Sequence, residues 1–237
     1  MSTGYGPKIA TNSLILSLDA GNIKSYPGTG TVWYDISGNN NHFNIVQAAF
    51  QNDSSGKYMD FRGSYGCAKN SADISLSDST GVTYLLWTKR ILQPPTSWRT
   101  LTRSYVSDHH VMIYYNGTEI GVYDNATGWV GSGFQQSSLP NYNTDDWIFL
   151  HWRWQNFSPY YEMSYNDSPN VIRASISNIN SRYERGFGSI GAYHNANTTP
   201  SSASQFWGDI GAFHVYQRRL SDAEILQSYY ALKERFI

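Results

Sequence analysis

Ten short runs of alternating apolar and polar residues, each closed by a turn cluster, point this chain toward a β fold. They fall at 14–19, 58–61, 82–90, 111–115, 120–123, 147–154, 160–165, 171–176, 189–193 and 206–216. Successive strand side chains face opposite ways, so β-branched and aromatic residues at every second position mark half-buried strands. Gly, Asn, Asp, Ser and Pro gather between the runs at 27–30, 37–41, 52–56, 166–169 and 195–202, where they favour turns. Asn116-Gly117 predicts a tight hairpin, because both residues accept positive φ. A helix is expected only at 221–234. Ser221 and Glu224 stand at capping-box spacing, and Ile225, Tyr229 and Leu232 recur on one helical face behind them. No repeat or linker divides the chain, so residues 1–12 read as an irregular arm and 13–237 as one domain.

Composition narrows the partners. At 237 residues the chain is long enough for one all-β domain with a sizeable core. A formal net charge of −1 leaves no electrostatic footprint for nucleic acid or an anionic membrane. No apolar run is long enough to span a bilayer, and none reads as a signal peptide, so membrane insertion is not expected. Cys67 is the single cysteine, which excludes an intrachain disulfide.

Several stretches carry a family resemblance. Leu14-Ile-Leu-Ser-Leu-Asp-Ala-Gly-Asn22 and Trp33-Tyr-Asp-Ile-Ser-Gly-Asn39 open the chain. A strand ending in Tyr216-Gln-Arg-Arg-Leu220, followed at once by Ser221-Asp-Ala-Glu-Ile225, closes it. Between them stand Gly81-Val-Thr-Tyr-Leu-Leu-Trp87, Trp147-Ile-Phe-Leu-His-Trp152 and Ile190-Gly191. In this order they resemble laminin G-like domains of the concanavalin A-like lectin/glucanase class, in the version found in tailed-bacteriophage virion proteins, notably of marine phages. The resemblance implies a two-sheet antiparallel jelly-roll sandwich with a short C-terminal α-helix and paired first and last strands. It also implies a non-enzymatic virion structural protein: a head-decoration, fibre or tail-tip module made in the host cytoplasm. Its partners would be other virion proteins, with host-surface glycan as a further ligand. The alternative is a bacterial carbohydrate-binding lectin module. Two departures matter. Phe61-Arg62-Gly63 stands where the family often has Phe-Asp-Gly, and Gly211-Ala212 follows Ile210 where acidic residues are common. Both remove carboxylates and weaken any metal site.

Catalytic spacing is missing from the sequence. Glucanases of this class set two Glu a few residues apart on one strand. Glu119, Glu162, Glu184, Glu224 and Glu234 offer no such pair. Asp145 and Asp146 are adjacent, so on a strand they would diverge and make a poor acid/base couple. His109-His110 diverge in the same way, and no third ligand follows at metal spacing. No enzymatic activity is therefore expected.

Two kinds of site stay in view. Asp19 and Asp35 lie in Asn-rich loops and are the candidate calcium ligands. The competing reading is local: Asp35 accepts the N–H groups of Ser37 and Gly38, and Asp19 those of Gly21 and Asn22, as Asx-turns. With the family acids replaced and calcium needing six or more oxygens, the turn reading is preferred. The aromatic surplus, with 8 Trp and 19 Tyr, suits either a core or a sugar-stacking surface. Trp33, Trp87, Trp147, Trp152 and Trp207 are assigned to the core or strand edges. Trp129, Phe134, Tyr142 and Tyr193 sit in or beside polar loops and are the candidate glycan- or partner-binding residues. Three of them lie within 124–145, which lacks strand signals and reads as a long functional loop with Trp129 as first anchor and Tyr142 as second.

Overall fold

The computed structural model describes residues 8–62, 67–76, 81–89, 99–105, 110–115, 119–124, 128–135, 139, 145–155, 160–168, 172–175, 186–191, 205–206 and 208–237. Among these residues, sixteen strands form two eight-stranded antiparallel sheets. The first runs β14 (Ile172–Ser175), β13 (Tyr160–Tyr165), β12 (Ile148–Gln155), β7 (Gly81–Lys89), β16 (Asp209–Tyr216), β5 (Gly56–Asp60) and β4 (Ala49–Asp53). β1 (Leu14–Asp19) also joins it, on β16. The second runs β11 (Gly128–Gln135), β10 (Glu119–Asp124), β9 (His110–Tyr115), β8 (Thr102–Arg103), β15 (Phe187–Ile190), β6 (Cys67–Ile74), β3 (Phe43–Val46) and β2 (Val32–Trp33). β1 and β16 pair with Ser17 opposite His214, which joins the first and last strands as the jelly roll requires.

Alternation fills the space between the sheets. Leu16, Tyr84, Leu86, Trp152 and Phe213 come from the first sheet, and Trp33, Phe43, Ile120 and Phe187 from the second. Tyr84 stacks parallel on Trp152 at 4.8 Å and lies 5.8 Å from Phe213, the offset contact that aromatic rings prefer. The other face of the first sheet is apolar too, because Leu85, Trp87, Phe149 and Tyr216 point outward into a second cluster. That face needs a cover, and α1 (Asp222–Leu232) with Phe236 supplies it. Trp87 stacks on Tyr229 at 5.5 Å and on Phe236 at 4.7 Å. Gly211 makes this approach possible: a Cβ there would stand 2.7 Å from Phe236 Cζ and 3.0 Å from Trp147 Cη2.

The helix starts where capping chemistry places it. Ser221 Oγ accepts the Glu224 N–H at 3.4 Å and Glu224 Oε2 accepts the Ser221 N–H at 3.0 Å. Ile225 and Tyr229 are buried and Leu232 packs beside them, while a short 3-10 turn at Lys233–Arg235 follows. An ionic clasp holds its first turn to the sheet. Arg153 donates to Glu162 at 2.9 Å, to the Leu220 carbonyl at 2.7 Å and to Asp222 at 2.5 Å, and Arg219 also donates to Glu162. Burial pushes the Glu162 carboxyl up, but these guanidinium bonds outweigh it and leave it below the ordinary carboxylate value.

Residues 8–12 form no strand or helix, and they are docked. The Ala10 N–H donates to Ser228 Oγ at 3.1 Å, and the Tyr216 hydroxyl donates to the Ala10 carbonyl at 2.9 Å. The stretch 124–145 departs from expectation, since it contains β11 rather than running as one loop. Three glycines, Gly128, Gly131 and Gly133, dilute its apolar alternation. The register also slips between Ile120 and Gly121 of β10, so Ser132 and Gly133 stand opposite no residue of that strand, although the two together preserve the alternation that turns Ser132 and Phe134 inward. Asn116-Gly117 lies outside the described residues, although the strands it was expected to join, β9 and β10, do pair antiparallel. No helix among the described residues is long and apolar enough to cross a membrane.

Candidate functional site

β10 and β11 form a hairpin at the edge of the second sheet, where β11 also packs against β14 of the first, and the two faces of that hairpin differ. Ile120, Val122 and Phe134 face the core. The opposite, outer face carries Glu119, Gly121 and Tyr123 on β10, in register with Gln135, Gly131 and Trp129 on β11. Tyr123 and Trp129 are thus cross-strand neighbours, both half-buried. Trp129 leans over the gap that Gly121 leaves, with its Cη2 2.8 Å from where a Cβ would stand. Glu119 folds over Gly131 in the same way and accepts the Gly133 N–H at 2.5 Å. The result is an aromatic pair with a carboxylate beside it. The hairpin edge is anchored to the first sheet, because the Tyr161 hydroxyl donates to the Val130 carbonyl at 3.1 Å.

Of the four residues singled out for binding, Trp129 occupies this face. Phe134 does not: it is 2 % exposed and edge-on to Tyr165 at 5.8 Å, because strand alternation turns it into the core. Phe134 is corrected to a core residue. Tyr142 and Tyr193 lie outside the described residues. Tyr123 and Glu119 join Trp129, although neither is among the four residues assigned to binding from the sequence. The signal that points to them is parity with Trp129 across a hairpin, and it requires the register. Of the five tryptophans assigned to packing, Trp33, Trp87, Trp147 and Trp152 are buried, and Trp207 lies outside the described residues.

Asp19 and Asp35 are corrected as calcium ligands. Asp35 accepts the N–H groups of Ser17 (2.8 Å), Ser37 (2.9 Å) and Asn41 (3.0 Å) and the Ser37 hydroxyl (2.8 Å). Asp19 accepts the Gly21 N–H at 2.9 Å and is gripped by both Arg235 amino groups at 2.7 and 2.6 Å. Their oxygens are filled by protein donors, so the local turn reading holds for Ser37 and Gly21. Arg62 does similar work between two acids. It binds Asp60 at 3.0 and 2.6 Å, and its Nε lies 3.3 Å from Asp209. A guanidinium stands where two carboxylates would otherwise invite a metal. Among the described residues, no group of three or more His, Cys, Asp and Glu converges to hold an ion.

Hollows among the described residues lie elsewhere. A wide bowl of about 690 Å³ is rimmed by Asp53, Asp145, Asp146 and Glu234. Trp147 lines it, and the Lys89 Nζ lies 5.0 Å from the centre of that ring and 4.0 Å from that of Tyr58. A crevice of about 170 Å³ runs between His151, Asn166, Asp167 and the first turn of α1. It is smaller than the cavities that take drug-sized ligands. Burial, reinforced by the nearby Arg153 charge, holds His151 down to about 3, so its imidazole is neutral there.

Two stacked antiparallel sheets with a capping helix and an aromatic hairpin at one edge make this molecule a jelly-roll-like β-sandwich. No protein-family model matches the sequence, and no curated protein does. Solved structures do match. Trypanosoma rangeli sialidase in complex with sialic acid is 13% identical with a TM-score of 0.61, over 99% of this chain and 35% of that one. The binding domain of Paraclostridial Mosquitocidal Protein 1 is 14% identical, TM-score 0.62, over 92% of this chain and 52% of that one. The ligand-binding domain of botulinum neurotoxin serotype D, in complex with N-acetylneuraminic acid, is 14% identical, TM-score 0.61, over 92% and 51%. The chain therefore spans between a third and about half of the chains it matches, and the likeness is one of fold.

Proposed function

We propose that this chain is a non-enzymatic binding module that attaches to glycan through the outer face of the β10–β11 hairpin. The observation that carries the reading is the cross-strand pair Tyr123 and Trp129, half-buried beside the Glu119 carboxylate. The apolar C–H face of a sugar stacks on such rings, while a carboxylate accepts its hydroxyl protons. Two of the similar folds, the sialidase and the neurotoxin domain, were solved with sialic acids bound, which supports carbohydrate as the ligand class. Titration of the whole chain with an oligosaccharide panel tests the reading. Saturable binding that disappears in Trp129→Ala, with an unchanged melting temperature, is the expected result. Binding that survives the substitution moves the site elsewhere.

The setting we assign is the surface of a bacteriophage particle, as a head-decoration, fibre or tail-tip module contacting other virion proteins. The opening Leu14–Asp19 strand with its Trp33-Tyr-Asp-Ile-Ser-Gly continuation, and the closing Tyr216-to-Ile225 segment, support this reading by their resemblance to phage laminin G-like domains. Mass spectrometry of purified particles is the test. A particle without the chain leaves the bacterial lectin as the reading to keep.

A further inference from the structure

β1 has one partner strand and one bare edge. Leu16 and Leu18 pair with Val215 and Phe213 of β16, and the Ala20 N–H donates to the Gly211 carbonyl. Alternation therefore turns the main-chain groups of Ile15, Ser17 and Asp19 to the opposite side. Among the described residues, no strand pairs with that side. The segment is Leu14-Ile-Leu-Ser-Leu-Asp19, with no charge before its last residue and no proline. An apolar edge of this kind is a template for another chain. Its groups are taken all the same. The Ser17 N–H donates to Asp35 Oδ1 at 2.8 Å, and the Ser17 carbonyl accepts the Ile36 N–H at 2.9 Å. The Ile15 carbonyl accepts the Asn41 amide at 2.8 Å, and the Leu14 carbonyl accepts the Asn39 amide at 3.0 Å. The Asp19 N–H donates to Ser25 Oγ at 3.0 Å. Apart from Ile36, these partners are side chains. Gly38 and Asn40, at φ 99° and 59°, coil the loop, so it presents no extended edge of its own. Ile36, Gly38, Asn39 and Asn40 are exposed, so solvent begins one layer beyond β1.

We infer that the Asp35–Asn41 loop is an edge guard: its side chains stand in for a neighbouring strand and keep Leu14–Asp19 from pairing with the same segment of a second copy. The uncovered segment suits that partner. Paired antiparallel about Ser17, two such edges set Ile15 opposite Asp19 and oppose no like charges. Asp35 is the centre of the guard. It holds the Ser17 N–H and also fixes the loop, by accepting the Ser37 and Asn41 N–H groups at 2.9 and 3.0 Å. Ser17 and Asp35 are 18 residues apart, against 197 for Ser17 and His214. Closing the guard therefore costs less chain entropy than completing the sheet.

The test compares the full chain with Asn39→Ala/Asn41→Ala, which removes the donors to the Leu14 and Ile15 carbonyls, and with Asp35→Ala. Sedimentation over a range of concentrations reads self-association, and hydrogen exchange of 14–19 reads the edge. The asparagine variant should keep a cooperative melt and, when dilute, exchange faster than the parent in 14–19. At higher concentration it should self-associate several-fold more tightly than the parent, with 14–19 protected again in the assembly. Asp35→Ala should associate more tightly still; if it fails to fold, the asparagine variant decides alone. A variant that stays as monomeric as the parent at every concentration would overturn the inference and leave the loop a brace for its own turn. Association that protects a segment other than 14–19 would overturn it equally.

Discussion

Trp129 and Phe134 stand five positions apart on one strand, and truncating each to Ala should give opposite results. Phe134→Ala empties a packed site, so unfolding free energy should fall by about 3–5 kcal/mol in a denaturant titration. Trp129→Ala removes a half-buried ring from the outer face, so glycan affinity should fall by about 1–3 kcal/mol while the fold holds. Gly211→Ala should lower the melting temperature without touching binding, because a methyl group there drives Phe236 and Trp147 off the sheet. Trp129 was legible in the sequence as an anchor because it stands among Gly, Thr and Ser. Phe134 looked the same by its neighbours. Their odd spacing puts them on opposite faces once 128–135 is known to be a strand, and the three glycines hide that strand.

At the scale of elements, what is local was legible and what is paired across the chain was not. The capping box needs residues three apart, so Ser221 and Glu224 announced α1 within a residue of its start. β11 has to borrow its order from β10, and its glycines carry little strand preference of their own. The same contrast governs how the elements fail. Ser221→Ala should cost about 1 kcal/mol, the ordinary value of one cap. Arg153→Ala should cost about 3–5 kcal/mol, because it leaves Glu162 buried with Arg219 as its remaining clasp partner, and should free the first turn of α1. Urea melts of the two variants separate these cases, and hydrogen exchange localised to 222–232 would show which end loosens first.

For the molecule as a whole, acid should act earlier than the carboxylates alone would allow. Burial holds His151 down to about 3 and His214 down to about 4, against 6.5 for the free side chain. Between those values the unfolded chain binds protons that the native chain refuses, so stability rises with pH there and is lost as pH falls from 6.5. Glu162 and Asp60 lie below their usual values in the native state, so their contribution goes only below about 4.5. Melting temperature should therefore already decline between pH 6.5 and 5, and His214→Gln should flatten that part of the curve. A flat profile down to pH 5 would mean that neither imidazole is sealed from water. The pairing of β1 with β16 has a further consequence for how the molecule is made. Ser17 and His214 lie 197 residues apart, so at roughly 5–20 residues per second a ribosome needs roughly 10–40 s between delivering one strand and the other. Late in that interval the outward row of Leu85, Trp87 and Phe149 has been made while its cover, α1 and Phe236, has not. The nascent chain thus carries an uncovered apolar face until its last helix emerges.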